Sequence, residues 1–362
     1  MLVVVTRCSR EKDLTKLRPQ LLALGLALSA TLAPLAAHAE LTLEQALNQF
    51  NLVVLGDAKS SSHVDGRTFV GGNLAGNGDF VQHPADTPAS GYTGLTVLGN
   101  ANVGSVNGLG VYVGGNLTQG NVNSGAARVQ GNVSNANLNG SAPAAIGGTV
   151  LGSNINSGRI GGAAETAALV AAGAQANAQD FGALFSQSSS FIAGLADTGG
   201  TVSIAYNRVT FNAVATNGVA VFDLSAIDDA VFAAGEFQFN LNGATTVIFN
   251  SDKANIQTSA NFLANSALAY GKSFLWNFYN ATDIVLGSQF GGSILATNAK
   301  LTNANNIEGS VVVKSLDQRG EIHLQPFAGT IPVTPVPEPG TYAMLLAGLA
   351  LTARVVAKRR KV

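Results

Sequence analysis

The sequence predicts a mainly β fold, a β-solenoid of short coils with one long α-helix packed along its side. Three observations predict it. A Gly-Asn doublet recurs every 16 residues between Leu95 and Ile160, an Ala-rich helical stretch covers about 163–196, and alternating strand patterns return after Thr201.

The doublets are Gly99-Asn100, Gly115-Asn116 and Gly131-Asn132, and Gly147-Gly148 falls on the next beat. Half a period away lie Val106-Asn107, Val122-Asn123 and Leu138-Asn139, then Ile155-Asn156 one residue late. Each beat is a short aliphatic run closed by Gly and Asn, which tolerate the positive φ of tight corners. A fixed period marks stacked supersecondary units. Sixteen residues are too few for a helix pair and suit one coil. Equivalent positions then stack about 4.8 Å apart, the spacing of neighbouring strands. The Asn series has two readings, ordinary turn chemistry or amides bonded from coil to coil. Either leads to the same coil. Only Arg128 and Arg159 carry charge between Leu95 and Ile160. Proton transfer needs a group that titrates near working pH, so this stretch reads as scaffold or surface.

The two ends are marked. Five of the 20 Lys and Arg precede residue 20 and five follow residue 353. The span from Glu40 to Pro337 therefore keeps 10 bases against 18 acids, a formal −8. A nucleic-acid partner would call for a basic stripe instead. A basic region to Arg18, an apolar run from Leu21 to Leu35 and Ala37-His38-Ala39 read as a secretory signal peptide at 1–39, cut between Ala39 and Glu40. A first strand or an anchor helix is the alternative. Cys8 leaves with this segment, which excludes thiol catalysis and cysteine-ligated metal in the mature chain.

At the other end, residues 331–337 form a Pro-rich linker. Glu338-Pro339-Gly340, an apolar run from Tyr342 to Thr352 and a Lys/Arg tail follow. The run is shorter than the roughly 20 residues of a spanning helix. Val355, Val356 and Ala357 extend it past Arg354, whose side chain can snorkel to the interface. Val336-Pro337-Glu338-Pro339, a hydrophobic helix and a basic end resemble the PEP-CTERM sorting signal of Gram-negative bacteria. The resemblance implies transient inner-membrane insertion, recognition by an exosortase-type enzyme and cleavage near the motif. The product is released or attached to the surface, and the basic tail stays cytoplasmic. A plain C-terminal anchor is the alternative reading of 338–362.

Between the ends, Thr42 to Phe50 reads as an amphipathic helix with capping-box spacing at Thr42 and Gln45. It is expected to cover the open end of the solenoid. Asn51 to Asp57 is a buried strand and turn, and coils begin at Phe69-Val-Gly-Gly-Asn73. The insertion from Gly76 to Gly91 carries Asp79, His83 and Asp86; a cation site is one reading, but they match no metal spacing and a solvated loop is the reading preferred. Phe181, Leu184, Phe185, Ser188, Ile192 and Leu195 form one stripe at helical spacing. A helix of about 30 residues is roughly 45 Å long, close to nine strand spacings, so one rod can flank the whole stack. Strands return at Val202/Ile204, Val209/Phe211, Val219/Val221, Phe237/Phe239/Leu241 and Val247/Phe249. Further runs follow at Phe274–Phe278, Gly292–Ala296 and Gly309–Val313. Glu308, Glu321 and His323 are the one chemistry-capable cluster near the end, expected on separate strands in structural or exposed roles.

Leu52–Asp57, Val64–Asn73, Trp276-Asn-Phe278, Gly292–Ala296, Ile307–Ser315 and Glu321-Ile-His323 together resemble the choice-of-anchor A domain, an ice-binding-like adhesive domain of bacterial surface proteins. The resemblance implies a discontinuous right-handed β-solenoid with a long helix alongside, and it brings no catalytic residues. The expected organisation is a signal peptide at 1–39, the β domain at 40–330 with its helix at about 163–196, the linker at 331–337 and the sorting segment at 338–362.

The function expected is that of an exported, non-enzymatic adhesin or structural protein of the cell surface or extracellular matrix. Its expected partners are signal peptidase, an exosortase-type enzyme, and exopolysaccharide or other matrix components. No catalytic, cofactor-binding or metal residues are expected. Ice binding is the alternative, although the coils carry no Thr-x-Thr array. A polysaccharide-degrading β-helix enzyme would need clustered carboxylates. Asp57, Asp65, Asp223, Asp228, Asp229 and Asp283 are scattered, with Asp228-Asp229 read as a turn cap.

Overall fold

A computed structural model of the chain describes residues 40–332. The expected signal peptide, most of the linker, and the sorting segment with Val336–Pro339 lie outside those residues. The described part is mainly β, built on parallel sheets, with a long helical stretch between two series of strands.

The 16-residue period is realised as parallel pairing in register. Val97 pairs with Val113 and Val113 with Val129, each exactly one period on. The column extends from Ile146 through Val70 and Val54 to Val313 and Ala296. Strand order in the 15-stranded sheet explains how it crosses from one end of the sequence to the other. From Ala142–Ile146 the order runs backward in sequence through Ala126–Val129, Val111–Val113, Leu95–Val97 and Thr68–Val70 to Leu52–Val54. It continues into Val311–Gln318 and runs backward again through Ser293–Asn303, Phe274–Phe278 and Thr246–Ser251 to Val219–Asp223. A 9-stranded sheet repeats the same order, with His63–Val64 beside Ile322–His323 at its middle. The first and last repeats of the domain therefore meet at a seam.

Alternation sorts the side chains of these strands. Leu52, Val54, Val70, Leu95, Val97, Val111 and Val113 fill the inner core with Phe249, Phe274 and Trp276. Trp276 is fully buried, stacks on Phe249 at 3.9 Å and donates its indole N–H to the Gly291 carbonyl. The intervening residues Val53, Phe69, Val312, Leu295, Leu275 and Ile248 face the other way, beneath helices. Helices on that face make strands such as Leu52–Val54 apolar throughout.

The Asn series is a ladder. The Oδ1 of Asp57, Asn73, Asn100, Asn116 and Asn132 each accepts from the backbone N–H of the next repeat, at 2.7–2.9 Å. A second ladder joins side-chain amides from Asn156 through Asn139 and Asn123 to Asn107, and a third joins Asn154 through Asn137 to Asn121. The glycine before each Asn was expected to supply positive φ, and the structure gives a different reason. Gly99, Gly115 and Gly131 do not have positive φ. Each lies against the amide oxygen below, so a Cβ on Gly115 would sit 2.5 Å from Asn100 Oδ1.

Helix α1 (Leu43–Gln49) has the expected capping box, with Thr42 and Gln45 bonded to each other's backbone N–H. Its expected place at an open end is corrected. Leu43, Leu47 and Phe50 pack on Val53, Val312 and Phe327, so α1 covers the sheet face at the seam. The first repeat is not terminal, because the last one pairs with it. The stretch at 163–196 is helical, in two pieces rather than one rod: α2 (Gly162–Ala176) and α3 (Phe181–Ala193). Asp180 starts the second piece by accepting from the Ala183 N–H, an N-cap that competes with continuation. Helix α2 packs on Ala126–Val129 and Ala142–Ile146, and α3 packs on strands of the second series. Together they connect the far end of one series with the other. Asn250 and Asn277 fasten α3 from below. Asn277 donates to Ser189 O and Asn250 Oδ1 and accepts from Ser189 Oγ, while Asn250 donates to Ile192 O.

The second series carries a 4-stranded sheet of its own. Thr201–Ala205 is antiparallel to Arg208–Asn212 around Tyr206 and Asn207, both at positive φ, as a two-residue primed turn requires. Among the described residues, no helix is long and apolar enough to cross a membrane.

Candidate functional site

The seam gathers titratable residues from opposite ends of the domain. Val64 pairs with Ile322, and Glu308 pairs with His323. Val64 and Ile322 are fully buried, so alternation turns His63 and Asp65, and likewise Glu321 and His323, to the opposite face. Three of the chain's four histidines, His63, His83 and His323, converge there.

His323 is held between two carboxylates. Its Nδ1 lies 2.7 Å from Glu308 Oε1 and its Nε2 lies 2.7 Å from Glu321 Oε2. Both ring nitrogens then donate, which requires the imidazolium form. The Glu308 hydrogen bond raises the His323 pKa, burial opposes it, and Glu321 adds to the rise, giving about 9. Glu308 is only 2% exposed. Burial pushes its carboxyl up, but hydrogen bonds from His323 and Gln289 and the charge of His323 together hold it below the usual range.

Asp65 Oδ2 accepts from the Leu324 N–H at 3.1 Å. Its Oδ1 is buried without a hydrogen-bond partner, as is Glu308 Oε2. His63 Nε2 and His83 Nε2 each stand 3.7 Å from Asp65 Oδ1, and His63 Nε2 is 3.4 Å from Glu321 Oε2. A cleft of about 600 Å³ opens beside the group, lined by Asp65, His83, Asp86, Lys272, Glu308 and His323.

The cluster expected of Glu308, Glu321 and His323 is present, with Glu308 and His323 on neighbouring strands in register and Glu321 bonded to His323; other expectations change. His83 and Asp86 line the cleft, whereas Asp79, on the strand beside His63, accepts from Ser105 Oγ. Asp65, expected among scattered carboxylates, joins the cluster, and His63 is a member the sequence reading did not single out. The available signal was the shared x-alternation of His63-Val-Asp65 and Glu321-Ile-His323, two acid–imidazole pairs on strands. Asp57 anchors a ladder, and Asp223 accepts from Ser225. Asp228 and Asp229 open helix α4 (Asp228–Ala233) rather than cap a turn, where negative charge favours the helix N-terminus.

Parallel strands stacked at a fixed period, with a polar cleft on the seam, define a repeat-built parallel-β domain. The family model for the ice-binding-like adhesive domain matches residues 43–324. The chain belongs to that family. A second match, to the PEP-CTERM protein-sorting motif, covers residues 335–361. It implies processing by exosortase-type machinery and makes this an exported surface protein. No curated protein and no solved structure matches the chain.

Proposed function

We propose that the chain is a non-enzymatic adhesin or structural protein of the cell surface or extracellular matrix. In this reading the paired sheets are faces of one discontinuous right-handed β-solenoid, and the outer amides are its contact surface. The carrying observation is the ladder of exposed side chains from Asn107 to Asn156, bonded repeat to repeat. Such a ladder fixes amide donors and acceptors at about the strand spacing. A periodic, uncharged surface of that kind suits the hydroxyl-rich chains of an exopolysaccharide. The adhesive-domain family and the sorting motif support the same reading. Signal peptidase would cut after Ala39, and 338–362 would insert transiently in the inner membrane of a Gram-negative cell before cleavage near Val336-Pro337-Glu338-Pro339.

The test is a pulldown of the full chain on exopolysaccharide from the producing cells, with biofilm cohesion measured after gene deletion. The expected result is saturable retention, weakened when Asn107, Asn123 and Asn139 are all replaced by Ala, and loss of cohesion on deletion. Retention of neither kind would refute the proposal, as would release of reducing ends from the polysaccharide. Replacement of Glu338 is expected to leave uncleaved chain in the inner-membrane fraction.

A further inference from the structure

We infer that His63, Glu321 and His323 form a binding site for one divalent transition-metal ion, of the Zn²⁺ class, which staples the seam. The ligand atoms of these three residues lie within 4.8 Å of one another. The two nearest separations are 2.7 Å, between His323 Nε2 and Glu321 Oε2, and 3.4 Å, between His63 Nε2 and the same oxygen. Ligands about 2.0–2.1 Å from a tetrahedral ion stand roughly 3.3 Å apart, so one separation already fits, Glu321 moves slightly off His323, and the two imidazoles approach from within 4.8 Å.

The surroundings independently point to a cation. Asp65 Oδ1 is buried without a partner, 3.7 Å from His63 Nε2. Its side chain is 9% exposed. A buried carboxylate oxygen left unpaired costs free energy, and a cation beside it removes that cost. It supplies a fourth donor, or holds a water that does. Glu308, 2% exposed, accepts from His323 Nδ1. This is the carboxylate–histidine arrangement that fixes the tautomer of a metal-bound imidazole and raises its basicity. The ion takes the place of the proton between His323 Nε2 and Glu321, and that proton passes to solvent.

The donor set selects the ion. Two imidazoles and a carboxylate suit Zn²⁺ and its neighbours, whereas Ca²⁺ and Mg²⁺ prefer oxygen-only shells. The ligands are about one-third exposed, which gives the ion a path from solvent. His63 belongs to the first series of strands, and Glu321 and His323 to the end of the second. One ion therefore ties together residues about 260 positions apart.

The experiment titrates the chelator-stripped full chain with Co²⁺ and follows the visible absorption of the bound ion, then displaces it with Zn²⁺. The expected result is one equivalent bound, displaced by Zn²⁺ and not by Ca²⁺, with a rise in unfolding temperature as ligation favours the folded chain. His63→Gln and Glu321→Gln, both partly exposed, are each expected to weaken binding at least about 10-fold, and Glu308→Gln about 10–100-fold. Circular dichroism of each variant checks that its fold persists. Absence of saturable binding would overturn the inference, as would equal affinity in the wild type and in folded His63→Gln and Glu321→Gln.

Discussion

Gly115→Ala tests whether close approach governs the repeat. The new Cβ would stand 2.5 Å from Asn100 Oδ1 and 3.0 Å from both Asn100 N and Gly99 C. The amide oxygen can swing aside, but the backbone atoms cannot. Relief therefore requires neighbouring repeats to separate or Asn100 to abandon the Asn116 N–H that it holds at 2.9 Å. Overpacking of this kind costs about 1–3 kcal/mol, and the lost hydrogen bond adds about 0.5–1.5 kcal/mol. The expected total is about 2–4 kcal/mol, read from urea unfolding of the full chain and from faster amide exchange across 99–132. Gly194→Ala is the control. Its nearest neighbour would be 3.4 Å away at an ordinary φ of −86, and it is expected to fall within about 0.5 kcal/mol of wild type. Asn100→Ala removes part of the clash, so the double variant should cost less than the sum of the singles. A Gly115→Ala protein as stable as the control, or strict additivity, would refute the steric account.

Two further outcomes follow from buried polar groups. Asn277→Ala strips partners from Ser189 and Asn250 beneath α3, and each orphaned group costs about 1–3 kcal/mol. A fall of about 2–4 kcal/mol in unfolding free energy is expected, non-additive with Asn250→Ala, and full additivity would count against the network. Burial raises the Tyr92 pKa from 10.0 to about 12. The folded chain thus keeps a proton that the unfolded chain releases near 10, so stability should decline from pH 10 to 12. Phenolate absorbance and urea midpoints at pH 9 and 11 measure this, and Tyr92→Phe should flatten the decline.

The strands and their register were legible because one apolar column recurs every 16 residues, and Val97, Val113 and Val129 pair where that period puts them. The stripe from Phe181 to Ile192 likewise announced the helix face now buried on the sheet. The break at Asp180 escapes the sequence pattern, because an Ala-rich stretch before it and an apolar stripe at helical spacing after it both read as helix, and only the N-cap interrupts them. The seam was invisible to periodicity. It joins Leu52–Val54 to Val311–Val313 through pairing of distant segments, and no local pattern encodes such a partner. The cluster at His323 was legible only in its 308–323 half for the same reason, since the other half comes from residues 63–65.

The place where the domain ends also decides how it bears force. Phe327 donates its N–H to Leu47 O, and Ile331 donates to Glu44, so the polypeptide departs beside α1, half-way along the order of strands. A tether attached beyond Ile331 therefore enters at the midpoint of the strand order and not at either outermost strand, Ala142–Ile146 or Val219–Asp223. A pull there meets the last strand, Ile322–His323, which is held on one side by Ile307–Glu308 and on the other by Val64, so hydrogen bonds on two sides resist it where an edge strand has them on one.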